Sequence, residues 1–446
     1  MRIILDKIYS KGENMRKTLL ALTITAAFGL QQAVAAETTL EQKLEILQQE
    51  IEALKIQVAK TQSENAKSSS ISLASDMTGQ NASAAWGERF SHGQAGNTVV
   101  GGYGEVVYNN YRDSSVKDQA DLRRFVLFFG HKFSDRLRFN SELEVEHGFI
   151  DEGKPGEIAM EQAYLEYGLT DRVNLRAGLM LMPLGILNET HEPPTFYGVE
   201  RNEIESRIIP STWRELSIAV QGEAIPGMEY QAGISTAPDA SKFENASAGF
   251  RGMRTSGGKA AANDLGYFAS LNYRGRPGLL LGGGIFSGNT GQDGNGETPN
   301  ALLKGVGGRL TVWDVHAKYA VGNLDLQALY ARGKLNDTAQ INTALAIAPA
   351  SGNAAPKSFS GWYGQAAYHI WKSGELDLAP FVRYEQYDTQ REVDSGYDKN
   401  IKNKETVTTL GVNFKVHPQV VLKADFQNYK TDNKKDRFSL GVGYMF

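Results

Sequence analysis

Cysteine is absent from this chain of 446 residues, and histidine is scarce, with seven. The absence of cysteine excludes disulfide bonds, thiolate catalysis and cysteine-based zinc or iron–sulfur sites. The histidines are scattered, and the sequence contains no His-x-x-x-His pair and no aspartate-rich calcium loop. We therefore predict that the chain is not an enzyme and needs no cofactor.

Long hydrophobic runs are also absent, apart from one near the N-terminus. Two basic residues after Met15 precede an apolar stretch at 19–30, and an Ala-x-Ala sequence ends at Ala35. This order is typical of a secretory signal peptide. We predict that Met15 is the true start and that residues 1–35 comprise an upstream extension and a cleaved signal. Cleavage removes five basic and two acidic side chains from totals of 47 and 51, so the mature net charge is −7. This balance does not favour nucleic acid as a partner.

A heptad pattern follows the cleavage site within residues 36–62. Its apolar positions are spaced alternately four and three apart: Leu40, Leu44, Leu47, Ile51, Leu54 and Val58. Such spacing predicts a short coiled-coil helix, which is too short to be stable alone. A helix packed on the rest of the chain and a dimer are alternatives to the trimer that we favour. Residues 63–97, rich in Ser, Ala, Asn and Gly, predict a flexible linker.

In the last ten residues, every second side chain from Phe438 to Phe446 is bulky and apolar, and those between are small or mildly apolar. Because side chains alternate faces along a strand, the bulky groups all lie on one face. A terminal strand of this kind is typical of an outer-membrane β-barrel, in which the last strand pairs with the first. An edge strand of a soluble β-sandwich would give the same pattern.

Sixteen segments of this period-2 type occur after residue 97. They are 98–111, 122–133, 136–149, 159–169, 173–182, 213–223, 228–236, 264–273, 278–287, 306–320, 324–333, 359–370, 376–387, 404–415, 420–429 and 437–446. Connections after even-numbered strands are short, and those after odd-numbered strands are mostly long. This alternation separates long loops from tight turns at opposite rims, which predicts an all-β fold: a sixteen-stranded antiparallel transmembrane β-barrel over 98–446.

Aromatic residues near strand ends would form girdles at the membrane interfaces. Those assigned to the girdles are Tyr103, Tyr108, Phe133, Tyr167, Tyr384, Tyr429 and Tyr444. Ordinary enrichment of aromatic residues in strands is the alternative explanation.

Three segments resemble the phosphate-selective porin O and P family. Residues 176–202 read RAGLMLMPLGILNETHEPPTFYGVERN, in which a Gly-containing strand precedes Pro-x-Gly and an aromatic–acid–Arg segment. Residues 122–124 and 163–167 are similar to the second and fourth strands of that family. The resemblance implies a trimeric channel in the bacterial outer membrane that admits small hydrophilic solutes, chiefly anions such as phosphate, by passive diffusion. It also implies that loop 183–212 folds into the lumen as a constriction.

The residues expected to line this channel are basic side chains directed inward by strand phase or carried by the loop: Arg176, Lys415 and Lys423 by phase, and Arg201, Arg207 and Arg214 in or beside the loop. Arg123 and Arg124 are adjacent, so we expect only one of them, taken here as Arg124, to face the lumen. A solvated charge at the rim, or a partner for a nearby acid, is the alternative explanation for each of these residues. Glu200 and Glu203 add negative charge to the loop, so the lumen would have a transverse field.

The mixture of signs leaves phosphate selectivity open. A general or organic-acid porin, an envelope tether and a barrel enzyme are the alternatives. In the membrane, lipid would surround the barrel. The coiled coil would lie in the periplasm, where residues 38–60 could reach peptidoglycan.

Overall fold

A computed structural model describes residues 97–153, 156–292 and 301–446. The predicted signal peptide, coiled coil and nearly all of the linker lie outside these residues. No helix in the described ranges has the length and apolarity to cross a membrane.

The described residues form one antiparallel sheet that closes on itself. Its strands are β1 (Thr98–Tyr111), β2 (Gln119–Lys132), β3 (Leu137–Glu146), β4 (Glu157–Thr170), β5 (Val173–Leu181), β6 (Arg214–Ile225), β7 (Met228–Thr236), β8 (Leu265–Tyr273), β9 (Leu279–Gly288), β10 (Leu310–Val321), β11 (Leu324–Leu335), β12 (Ser358–Tyr368), β13 (Trp371–Ser373), β14 (Leu376–Glu392), β15 (Lys404–His417), β16 (Val420–Tyr429) and β17 (Arg437–Met445). Both β12 and β13 pair with β14, so the short β13 continues β12. The barrel therefore has sixteen strands, as predicted.

Barrel closure depends on the C-terminal strand. Each strand pairs with the next in sequence, and β17 pairs with β1 in a register that places Tyr108 opposite Leu440. The backbone N–H of Phe446 donates to the carbonyl of Gly102 over 2.8 Å, and the reciprocal bond is 3.0 Å long. The final residue thus closes the ladder, which confirms the predicted pairing of first and last strands.

The two faces of the wall differ as the alternation predicts. In β17, Phe438, Leu440 and Val442 are exposed on the outside, whereas Ser439 is fully buried on the inside. A sandwich would bury the apolar face, so the exposed apolar face and the closed ladder together exclude that alternative.

The connections alternate in length around the barrel. Turns such as 226–227 and 322–323 join strands at one end, and the longest loops, including 182–213 and 237–264, lie at the other. A short α-helix, α1, spans Thr338–Ala344 in one of these loops. The other helical turns are 3₁₀ segments at Pro193–Thr195, Ala240–Lys242, Ala246–Ala248, Arg251–Met253, Ala301–Leu303, Pro349–Ser351, Ile401–Asn403 and Asn433–Lys435, and a π-helical turn at Ile204–Ile208.

An apolar core lies inside the barrel at the long-loop end. Trp213 packs edge-to-face on Phe250 and Phe286, with ring centroids 5.0 and 4.8 Å apart. Phe250 also contacts Phe359 of β12. Because Phe286 and Phe359 face inward from the wall, long loops and wall share this core.

Some sequence predictions need correction. The second strand starts at Gln119, the tenth at Leu310, and β14 extends to Glu392, beyond the predicted limit. Tyr103 and Tyr429 do not belong to an outer girdle, because each is only 2% exposed and faces the lumen. Their hydroxyl groups bond carboxylates inside the barrel, which strand-end position alone could not reveal.

Candidate functional site: a loop within the barrel lumen

Residues 182–213, here called the inner loop, leave the wall after β5 and return at β6. Asn188 fixes its base: the side-chain amide donates to the carbonyls of Met182 and Trp213 and accepts from the Trp213 N–H. Both strand ends are thereby held at one point, and the intervening residues project as a single closed loop.

Glu205 organises the interior of the inner loop. Its carboxylate accepts from the backbone N–H groups of Ile186 and Leu187, and from the side chains of Asn202 and Tyr363. A buried carboxylate is costly unless it is hydrogen-bonded, and here four donors satisfy it. Since Tyr363 belongs to β12, Glu205 also joins the loop to the wall.

The far end of the loop lies on strands β14 to β16. Lys423 donates to the carbonyls of Phe196 and Gly198 at 2.9 and 2.8 Å, and its ammonium lies 3.6 Å from the Phe196 ring centroid. Asp425 accepts from the Val199 N–H. Lys423 faces the lumen, as predicted from strand phase, but its ammonium is buried in the contact with the inner loop.

Arg383 of β14 completes this contact. Its guanidinium, 2% exposed, bonds Glu385 at 2.9 Å and donates to the carbonyls of Tyr197 and Glu200. Arg383 is absent from the residues predicted from sequence. It alternates with the outward-facing Val382 and Tyr384, so the phase of β14 could have identified it.

Small residues in the wall make room for the loop. A Cβ atom on Gly443 would lie 2.3 Å from Cβ of Pro193, and one on Gly441 would lie 3.2 Å from Val199. The small residues of the last strand therefore allow close approach of the inner loop, in addition to completing the alternation.

Arg123 binds the loop from β2. Its two terminal nitrogens each lie 2.9 Å from an oxygen of Glu200, a bidentate pair that Asn109 extends at 3.2 Å. Burial raises the pKa of Glu200, but the Arg123 guanidinium outweighs burial and lowers it to about 2. Glu200 is therefore ionised at neutral pH and neutralised by Arg123.

Arg124 also faces the lumen, so the expectation that only one of the two arginines does is wrong. Glu105 of β1 pairs with Arg124, and the next β1 residue pairs with Leu122, which leaves Arg123 as the extra residue of a β-bulge. A bulge changes the direction of a side chain. Arg124 forms ion pairs with Glu105 at 2.9 Å and Glu144 at 3.2 Å.

Two further predicted arginines are also paired. Arg176 faces inward from β5, bonds Glu166 at 2.7 Å and lies over the Tyr164 ring. Arg207 forms a close ion pair with Glu203 within the inner loop. Glu203 also accepts from the Tyr429 hydroxyl at 2.7 Å.

Arg201 and Arg214 occupy different environments. Arg201 donates to the His191 carbonyl, and no carboxylate lies within ion-pairing distance of it in the described ranges. Burial and then the charge of Arg124 lower the pKa of Arg201. The register of Arg214 matches that of the outward-facing Leu216, but the Arg214 side chain is buried and its guanidinium donates to the Thr212 carbonyl.

A cavity of about 460 Å³ lies between the end of the inner loop and the short turns. Lys318 of β10 and Lys415 of β15 line it, and neither has a carboxylate within ion-pairing distance among the described residues. The cavity acids Asp325 and Asp377 both bond His369, at 3.2 and 2.6 Å. Lys415 was predicted from its phase, and the phase of β10 could have identified Lys318.

A closed sixteen-stranded barrel with a polar lumen and a loop bound inside it defines the porin class. Residues 95–441 match the family described as phosphate-selective porin O and P. The chain belongs to this family, which confirms the resemblance seen in the sequence, and it is a channel protein of the bacterial outer membrane.

A protein of Aquifex aeolicus (strain VF5), described as uncharacterized, is 34% identical over 357 residues, covering 78% of this chain and 79% of that protein. Two solved structures share the fold. Salmonella typhi OmpF, in complex with daunomycin, has 12% identity and a TM-score of 0.53, covering 79% of this chain and 98% of that one. The outer-membrane channel DcaP of Acinetobacter baumannii has 13% identity and a TM-score of 0.50, covering 79% and 99%.

Proposed function

We propose that the barrel lets small hydrophilic anions, phosphate among them, diffuse passively past the inner loop. The observation that supports this proposal most strongly is an asymmetry in charge pairing. Glu200 and Glu203 are paired with arginines, whereas Lys318, Lys415 and Arg201 have no carboxylate within ion-pairing distance in the described part of the chain. At these positions the uncompensated charge is therefore positive, whereas carboxylates are in excess where the inner loop touches β3 and β4.

The mechanism needs no covalent step. An anion that enters the lumen loses part of its hydration, and ammonium or guanidinium groups replace those water contacts. Lys318 and Lys415, which line the cavity near the short turns, and Arg201 in the inner loop would serve this role. The inner loop would act as the constriction, because its ends are fixed at Asn188 and its far end is bound to the opposite wall.

A general or organic-acid porin is the second candidate. It is favoured by the same cavity, where Asp325, Asp377 and Glu375 lie among the lysines and weaken any uniform positive field. Influx of labelled phosphate, a labelled dicarboxylate and a labelled neutral solute of similar size into proteoliposomes separates the candidates. The proposal expects phosphate to enter faster than the neutral solute. Equal rates of entry for phosphate and the neutral solute would refute anion preference. Entry of the dicarboxylate at a higher rate than phosphate would favour the second candidate.

We also propose a homotrimer, with lipid around its outer surface and the helix at 36–62 in the periplasm. The apolar outer face supports lipid contact, and the heptad pattern supports association. Channel closure in three equal conductance steps would support the trimer, and single steps would contradict it. Binding of purified peptidoglycan by the mature protein but not by a variant without residues 38–60 would support a tethering role as well.

A further inference from the structure

Three potential metal ligands meet where the inner loop touches strands β3 and β4. Glu142, Glu161 and His191 each offer one ligand atom, and these atoms lie within 4.8 Å of one another. The three side chains are at most 2% exposed. The sequence does not suggest this cluster, because the residues are separated by 19 and 30 positions and belong to three elements.

A second β-bulge brings Glu161 into the cluster. Glu142 of β3 pairs with Gln162, and Leu143 pairs with Met160, so Glu161 is the extra residue. Glu161 and Gln162 are therefore both buried on the lumen side, where strict alternation would place only one. Gln162 donates to Glu142 at 2.8 Å and fixes the orientation of that carboxylate.

The imidazole of His191 is oriented as in a metal ligand. Its Nδ1 lies 3.0 Å from the carbonyl oxygen of Asn188, which can only accept, so Nδ1 carries a hydrogen. In the neutral ring, the lone pair of Nε2 then points at Oε2 of Glu161, 3.3 Å away. A backbone carbonyl on the other ring nitrogen is the usual outer partner of a metal-bound histidine.

The acids of the cluster are incompletely satisfied. Oε2 of Glu161 accepts from the Tyr103 hydroxyl at 3.1 Å, but its Oε1 is buried and has no hydrogen-bond partner within the described ranges. The same is true of Oε2 of Glu192, the residue after His191. A buried carboxylate oxygen without a partner is costly, and a bound cation would remove that cost.

The local charge also lacks balance. Arg124 is shared by Glu105 and Glu144, as described above. Arg201 and Arg214 are then the remaining arginines near Glu161 and Glu192, and neither makes an ion pair with them in the described ranges. A divalent cation would compensate this excess of negative charge.

We propose that Glu142, Glu161 and His191 bind a divalent transition-metal ion that fastens the inner loop to the wall, with Glu192, the residue after His191, as an additional carboxylate beside the cluster. One imidazole with carboxylate oxygens suits Zn²⁺ or Mn²⁺ better than Mg²⁺ or Ca²⁺, which prefer oxygen alone. Tetrahedral zinc with bonds of about 2.1 Å separates its ligand atoms by about 3.4 Å, so binding would draw these atoms together from their present spacing of up to 4.8 Å. The proposal depends on the position of the inner loop and is independent of the solute that passes.

The test uses the folded, full-length mature protein in detergent, stripped with EDTA, exposed to Zn²⁺ and dialysed. Metal content is measured by mass spectrometry and affinity by calorimetry. We expect one Zn²⁺ per chain, and at least about tenfold weaker binding in His191→Gln and in the isosteric Glu161→Gln. His131→Gln, at the short-turn end of β2 beside Thr98, is the matched control and should bind Zn²⁺ like the wild type.

Folding of each variant is checked by the shift in electrophoretic mobility on heating, so that misfolding is not mistaken for ligand loss. Wild-type protein that retains no Zn²⁺ would overturn the proposal, as would folded His191→Gln and Glu161→Gln variants that both bind Zn²⁺ as well as the wild type. The cluster would then be an ion pair between a protonated His191 and Glu161.

Discussion

Lys415 offers a quantitative test of how lumen charge sets ion preference. Its ammonium lines the cavity beneath the inner loop without an acidic partner within ion-pairing distance in the described chain. For an ion about 7 Å away, a unit charge contributes about 0.6 kcal/mol at the dielectric constant of water. Screening over a Debye length of about 10 Å at 0.1 M salt reduces this to about 0.3 kcal/mol.

Replacing Lys415 by Gln removes this attraction for anions and the equal repulsion for cations. The anion-to-cation permeability ratio should therefore change by about 0.6 kcal/mol, which is about threefold toward cations. The assay is the reversal potential of single channels across a potassium chloride gradient. Lys132→Gln is the control, because it removes the same charge at the end of β2, outside the residues that line this cavity. An unchanged potential in an otherwise normal Lys415→Gln channel, or an equal shift in the control, would refute the reasoning.

Three further outcomes follow from the contacts of the inner loop. Glu200→Gln frees the charge of Arg123, so its reversal potential should shift toward anions; a shift toward cations would contradict the pairing. Gly443→Ala should lower barrel stability by about 1–3 kcal/mol in denaturant titrations, because its Cβ meets the loop. Gly364→Ala, with open space around its Cβ, should have little effect, and equal losses would count against loop contact. Deleting 190–208 should raise single-channel conductance, and unchanged conductance would mean that the loop does not narrow the pore.

The barrel could be predicted because the sequence pattern that specifies a strand is local and recurs in every strand. Each strand needs one apolar and one polar face, so the period-2 pattern gave the strand count. The segregation of connection lengths gave the closed architecture. In β17 the pattern also predicts the direction of single side chains correctly, since Leu440 and Val442 face outward and Ser439 faces inward.

The lumen was less predictable because β-bulges break the alternation. Each of β2 and β4 contains one extra residue, Arg123 and Glu161 respectively. In each strand the extra residue and its neighbour both face the lumen, which a strictly alternating pattern does not predict. Loop docking depends on partners far apart in sequence, such as Glu200 with Arg123 and Phe196 with Lys423. Phase identified Lys423 as inward-facing, but only the structure shows that the loop uses its charge.

Preference of the lumen for small anions over cations is the property on which the proposed function depends most. It is tested by planar-bilayer recording of the wild-type mature protein across a potassium chloride gradient, first without and then with millimolar phosphate. We predict an anion-favouring reversal potential and a chloride current that phosphate reduces. A reversal potential at zero or on the cation side, with no effect of phosphate, would contradict this preference.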